Sequence, residues 1–457
     1  MAEDSDRAFL FEDLFRKPVL VRFDGELRTS DAGLTLLAGV DRRLGLTEAL
    51  AGSLDDRRDP ARVVHSFESL LRQRVYSIAL GCPDTNDAAH LSRDPALLLA
   101  CGRRADDPRG LAAQPTLSRF DHAVRGRALV AMQRQLEDFV VRRLRQRHPR
   151  PRRIFIDLDP SVDPTHGQQP FAYFNGHYDT WCYLPMLGFL SVEGEAEQHL
   201  FHARLRAGLA KEAKGTPALL RRIVAKLRRS YGKARICVRL DAGFAYPQVL
   251  DVLDVLDELR VEYMVAIGGN AVLSRAAERH LRAAASLTET FGRSTALFGD
   301  VVYRTRSWTR DRRVIFKAEV LRAAGKSDRR NDRYVITNLR GSAQAIWSLY
   351  CRRGDSENRI KELKNDLAID RTSCTRFLAN QMRVLMTAAA YVLFQELRGA
   401  LRRTELRRAM VGTLRLRLLR IGATITESVR RVVVSMPSSH PWKDLWRRAA
   451  AEVAALA

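Results

Sequence analysis

Hydrophobic positions along this chain follow one period, then another, then the first again. From 29 to 148 apolar residues recur every three or four positions, the spacing of helices that bury one face. Thr29, Ser30 and Asp31 offer an N-cap before GLTLLAGVDRRLG, and Asp59-Pro60 opens a helix that stops at Gly81. A longer helix is predicted from Leu117 to His148. Two short helices within 32–54 are compatible with a helix-turn-helix, as with any helical domain. RRLRQRHPRPRR, with seven arginines and two prolines at 142–153, reads as a linker.

Beyond it the period falls to two. RRIFIDLD sets Ile154, Ile156 and Leu158 on one strand face and Phe155, Asp157 and Asp159 on the other, and QPFAYFNGHYDTWCYLPMLGFL continues as aromatic-rich strand. TPALLRRIVAKLRRSYG then predicts a helix, ARICVRLDAGF a strand, AYPQVLDVLDVLDELR a helix and VEYMVAIGG a strand. Such alternation predicts an α/β fold, a mixed sheet with helices on its faces. Between 270 and 340 the rhythm lapses: DVVYRTRSWTRDRRVIFKAEVL predicts a hairpin and RRNDRYVITNL one further strand. The α/β pattern resumes at YCRRGDSENRIKELK, 350–364, and 375–457 reads as helical and very basic.

On one continuous helix Tyr350, Arg353, Glu357 and Lys364 fall within about 60° of one another, at ~100° per residue. A single acid is thus held in a basic, polar stripe. The plainest account is a solvated face with pairs such as Arg353–Glu357 and Glu357–Lys361, each worth ~0.2–0.5 kcal/mol.

Composition narrows the function. A length of 457 residues predicts about two to four domains, and 46% hydrophobic residues is a globular content. The formal charge is +24, and ten lysines stand beside 67 arginines, so a polyanionic partner is expected. Arginine's planar fork suits phosphate oxygens and guanine edges, although codon usage in a GC-rich genome enriches arginine too. Cysteines 82, 101, 182, 237, 351 and 374 stand singly and are expected as reduced thiols in apolar surroundings. His199 and His202 lack the second ligand pair of a zinc site. The start, MAEDSDRAFLFEDLF, is too acidic for a secretory leader. The longest apolar stretch, around VLMTAAAYVLF, is shorter than the ~18–20 residues of a membrane span, so a soluble cytoplasmic protein is expected.

Asp159 and Asp241 each end a predicted strand, where α/β sheets gather ligands. Carboxylates there also serve as turn formers and caps. With Glu357 they make three acids from distant parts of the chain, with no cysteine or histidine, a donor set that suits magnesium. Two such ions ~3.5–4 Å apart activate one oxygen and stabilise another in phosphodiester chemistry.

These residues carry a resemblance. Tyr350, Arg353, Glu357 and Lys364 reproduce the Y-x2-R-x3-E-x6-K signature of one branch of bacterial insertion-sequence transposases of the DDE class. QPTLSRF, IDLDPSVDPTHGQQ, FNGHYDTWCYLP, VRLDAGF and RRGDSENRIKELKND resemble segments of such proteins, in the expected order from about 114 to 370. The resemblance implies an RNase H-like mixed-sheet catalytic core interrupted by a β-rich insertion, with helical N-terminal and C-terminal regions. In this chain it implies a DNA-binding region at 1–150, the first part of the core at 151–270, and the insertion at 271–340. The helix bearing the glutamate would then occupy 341–375 and the basic C-terminal region 376–457.

It further implies cut-and-paste transposition: hydrolysis at the element's ends, then attack of the freed 3′-hydroxyl on target DNA. Asp159, Asp241 and Glu357 would be the catalytic, metal-binding triad for two Mg²⁺ ions, with Mn²⁺ as a substitute, and Tyr350, Arg353 and Lys364 would hold phosphates. Asp159-Pro160-Ser161 fits the usual Asp-x-Thr/Ser pattern for the first acid, with Asp157 and Asp163 as alternatives. Trp308, among Arg304, Arg306 and Arg310, is a candidate to stack on an unpaired base, or else a half-buried strand aromatic. His166 and His177 fall in matched segments without an assigned role. The partners implied are double-stranded DNA, as end repeats and target, and a second subunit on that DNA. The C-terminal arginines would clamp end DNA, face that subunit, or be solvated. The rival readings are a catalytically inactive element-derived DNA-binding protein or repressor, and a nuclease of the same fold without strand transfer.

Overall fold

The computed structural model describes residues 9–11, 19–21 and 26–456, so the acidic start lies mostly outside the described residues. The chain divides into two compact units. One holds residues 129–365 and 369–388; the other holds the residues up to 128, with 366–368 and 389–457.

The first unit is mixed α/β. Its sheet has eight strands: β1 (Arg153–Pro160), β2 (Met186–Val192), β3 (His199–Arg204), β4 (Arg235–Leu240), β5 (Val261–Ile267), β6 (Thr295–Tyr303), β7 (Arg312–Leu321) and β8 (Arg329–Thr337). They lie in the order β6-β7-β8-β5-β4-β1-β2-β3. β1, β4 and β5 are mutually parallel, with Ile156 opposite Val238 and Val238 opposite Tyr263, and every other pairing is antiparallel. Parallel strands are covered on both faces, which is why β1 is buried from Ile154 to Asp159 and its alternation separates two buried faces.

The helices of this unit are α1 (Gly126–Arg147, whose first residues belong to the other unit), α2 (Thr216–Ser230), α3 (Pro247–Asp257), α4 (Ala271–Phe291), α5 (Ala343–Cys351), α6 (Asp355–Leu367) and α7 (Phe377–Ala400, its second half likewise). α2 buries Leu219, Leu220, Ile223, Val224 and Leu227, one stripe at helical spacing, as predicted. Phe155, Cys237, Met264, Ile315 and Val335 form an apolar band across five strands, and Ala343, Ile346 and Trp347 of α5 cover it. That contact fixes α5 over the sheet.

Several elements differ from the sequence reading. α4 occupies a stretch where no helix was predicted, and it buries Leu273, Ala277, Leu281, Ala284 and Thr288 at spacings of three and four. β6, β7 and β8 join the main sheet through β8 against β5. The helix expected from Leu117 to His148 is two, Gln114–Ala123 and α1, broken at Val124 with extended ψ. Arg142 to Arg147 of the arginine-rich stretch belong to α1, and only 148–152 connect it to β1. Residues 350–364 are not one helix either. A 3₁₀ turn, Arg352–Gly354, separates α5 from α6, so the stripe drawn for a uniform helix does not run unbroken through Glu357.

In the second unit the helices Leu34–Leu44 and Leu46–Ala51 meet at a single residue, Gly45, with φ +67°. A helix-turn-helix needs a three- or four-residue turn, so these two do not form one. Pro60–Arg62 is a separate turn, and the helix Phe67–Ala79 has its own cap, Ser66, accepting the Ser69 N–H. The C-terminal region expected to be helical also contains strands: Ala423–Glu427 pairs with Val432–Ser435 and with Arg28–Thr29. Ala32 and Gly33 N–H groups donate to Ile421 and Leu419 carbonyls. A Cβ at Gly33 would lie 1.7 Å from the Leu418 carbonyl oxygen, so only glycine fits. Both ends of the described chain thus build this unit together.

α7 is long and apolar enough to cross a membrane, by length and composition only. Of its most apolar window 83% is buried inside the protein, the behaviour of a core helix.

Candidate active site at adjacent strand ends

Because β1 and β4 are parallel neighbours, their C-terminal ends lie side by side. Asp159 is the penultimate residue of β1, and Asp241 directly follows β4. Trp347, held in the core, packs against Tyr350 with ring centroids 6.1 Å apart, and Tyr350 Oη donates to the Leu240 carbonyl at 3.4 Å. This anchoring hangs the 3₁₀ turn over the strand ends. Arg353 Nη1 then reaches Asp159 Oδ2 at 2.9 Å. Ser356 Oγ lies 3.0 Å from the same oxygen and 2.8 Å from the Arg353 carbonyl, and its one proton serves either. Asp241 Oδ1 accepts the Gly243 N–H at 2.9 Å, capping the turn Ala242–Phe244.

Burial pushes the Asp159 carboxyl up to about 6; Arg353 pulls it down and the Asp241 charge adds to the rise. Asp241 is raised too, by burial first, with Arg353 opposing and Glu212 reinforcing. Burial also raises the Tyr350 phenol, against Arg353. Asp159, Asp241, Arg353 and Tyr350 therefore form one electrostatic group. Both aspartates supply hard oxygens and carry more negative charge than one guanidinium relieves, which fits a divalent magnesium. Glu357 is exposed, one residue beyond Ser356. Among the described residues no three His, Cys, Asp or Glu side chains are gathered as a metal-holding group. The structure thus brings Asp159 and Asp241 together without drawing Glu357 into a three-carboxylate cluster.

The alternatives to Asp159 are both fully buried. Asp157 receives a bidentate pair from Arg239, 2.7 and 2.6 Å, and a hydrogen bond from Gln198; the guanidinium stacks 4.3 Å above Phe155. Asp163 lies 3.0 Å from the Thr372 hydroxyl through each oxygen, and burial pushes it up to about 8. Lys364 Nζ donates to the Val162 carbonyl at 2.6 Å, beside Asp163.

Trp308 sits in the β6–β7 turn, 4% exposed, edge-packed on Tyr303 at 5.5 Å and covered by Arg312 at 4.9 Å. Its ring packs the hairpin and offers no free face to a base. His199 and His202 bond different carboxylates, Glu195 and Glu137. His166 and His177 are exposed. All six cysteines are free, and Cys351, exposed, departs from the expected apolar surroundings. Sequence reasoning missed Ser356 and Arg239. The basic residue two before Asp241 in VRLDAGF was a signal for the second, since parallel pairing sets it opposite Asp157.

A strongly cationic chain with coupled carboxylates at the ends of parallel strands has the build of a nucleic-acid-processing enzyme. The model of the family described as Transposase DDE domain group 1 matches residues 11–457, and the chain belongs to that family. It is accordingly a transposase by family, with DNA as its partner. No curated protein matches the chain.

Proposed function

We propose that this protein moves an insertion sequence by cut-and-paste transposition, cleaving the element's ends and joining the freed 3′-hydroxyls to target DNA. The observation that carries the reading is the placement of Asp159 and Asp241 at the ends of adjacent parallel strands, with Arg353 bonded to Asp159. The order β3-β2-β1-β4-β5, with β1, β4 and β5 parallel, supports an RNase H-like core, and β6 to β8 would be its β-rich insertion. Tyr350, Arg353, Glu357 and Lys364 would place the protein in the branch with the signature given above.

Asp159, Asp241 and Glu357 would hold two magnesium ions, for which manganese can substitute; when bound, these supply Lewis acidity to the scissile phosphate and make an attacking hydroxyl more acidic. The chain's own side chains do the rest. Arg353 keeps Asp159 ionised in a buried setting and can share its remaining N–H groups with a phosphate. Ser356 fixes the carboxylate's orientation. Lys364 stands at the Val162 carbonyl to neutralise backbone charge, and the Tyr350 hydroxyl can donate to phosphate by turning its one proton away from the Leu240 carbonyl.

Asp241→Asn and Glu357→Gln should each lower magnesium-dependent cleavage of end DNA by at least about a hundredfold while binding stays within a few-fold. Undiminished cutting by either variant removes that residue from the site. Cleavage without joining of 3′-ends to a target plasmid would favour the nuclease reading.

A further inference from the structure

Next to the strand ends lies a small sheet with an uncovered aromatic face. Four residues after Asp159, Asp163–Pro164 pairs with Thr180–Tyr183, and that strand pairs with Tyr173–Asn175. Phe174 and Trp181 are register partners with ring centroids 6.4 Å apart, and they are 48% and 57% exposed. Phe171 and Leu209, brought together by the Gly208 N–H bond to the Phe171 carbonyl, add further exposed apolar surface. Contiguous exposed aromatics mark an interaction site.

The mount is stiff. The Thr165 N–H donates to the Trp181 carbonyl at 2.8 Å, and Asn175 Nδ2 donates to the Gly208 carbonyl at 2.8 Å. A Cβ at Gly208 would lie 2.2 Å from the Cys182 carbonyl oxygen, so the loop 205–215 packs backbone to backbone against the sheet. That loop carries Lys211 and Lys214, both exposed. Tyr178 lies in the turn of the hairpin; burial raises its phenol, and the charges of Glu212, Asp241 and Asp159 add to the rise, so the turn borders the carboxylates.

We propose that Phe174 and Trp181 form a stacking platform for unpaired bases of a DNA strand whose adjoining phosphate lies at Asp159 and Asp241. The inference rests on the DNA-cleaving reading above. Three observations favour a nucleobase as occupant. The strands beneath the rings are hydrogen-bonded to their neighbours, the adjoining loop supplies cations for the backbone, and the chain to Asp159 is short. Stacking on such rings accepts any base, since each has a π face.

The test uses the full chain and two end duplexes that differ only in having a few unpaired bases, one labelled with 2-aminopurine, at the cleavage point. Wild type should bind the unpaired duplex about ten-fold more tightly than the paired one and quench the label. Trp181→Ala and Phe174→Ala should lose both the preference and the quenching, with paired-duplex affinity and thermal unfolding unchanged; Trp181→Phe should keep most of each. No preference in wild type, or a preference surviving in Trp181→Ala, overturns the proposal. So does a Trp181→Ala protein altered only in self-association, which would make the face a protein contact. Cleavage by Asp241→Asn judges the underlying reading separately.

Discussion

Asp159 is held where an ionised carboxylate is poorly tolerated, so neutralising it should stabilise the protein as it abolishes activity. The ordinary carboxyl value is 3.8 and burial lifts this one to about 6, Arg353 notwithstanding. The folded state therefore binds the proton more tightly than the unfolded chain. Stability from this group is complete below about pH 4 and is lost as pH rises through 6, a loss of about 3 kcal/mol at ~1.4 kcal/mol per unit. An asparagine in its place cannot ionise and escapes that loss. For a folded unit of this size 1 kcal/mol moves Tm by roughly 2–4 °C, so Asp159→Asn should melt about 6–12 °C above wild type at pH 7.5. At pH 4 the two should melt together, and end cleavage should be absent in the variant. Calorimetry at the two pH values decides it. A lower Tm at pH 7.5, or an equal gain at pH 4, would refute the argument from burial.

Replacing Arg239 by methionine leaves Asp157 charged, buried and unpaired and should destabilise by about 3–5 kcal/mol in urea unfolding, whereas joint replacement by methionine and leucine should recover most of it. A single variant within about 1 kcal/mol of wild type, the error of extrapolation to water, would show the pair to be dispensable. Trp308→Ala should cost about 3–5 kcal/mol through the cavity it leaves, with no effect on preference for unpaired DNA. Because two ends must be brought together, the cleavage-competent complex should contain at least two subunits by light scattering; one subunit holding both ends would contradict this.

The sequence was most informative where burial leaves a periodic trace. β1, β4 and β5 stood out as short β-branched runs, and α2 as an apolar stripe. α4 carried the same kind of trace, but its buried positions are largely alanine and threonine, which weigh little as hydrophobic marks. The strands at Ala423–Glu427 and Val432–Ser435 are too short, and too closely flanked by arginine, to register as alternation. At the site, Asp159 and Asp241 were readable from their places at strand ends. Glu357 was read from spacing on one continuous helix, which the 3₁₀ turn at Arg352–Gly354 interrupts. The charge of Arg239 was visible beside Asp241, but its pairing with Asp157 depends on which strand lies next to β4.

Arg28 and Thr29 find their strand partners in Thr424 and Ala423. A ribosome adding ~5–20 residues per second delivers those partners on the order of 20 to 80 s later. Until then the early segment lacks its strand partners. A gene copy interrupted by a premature stop codon thus yields no finished version of this unit to compete with the intact product.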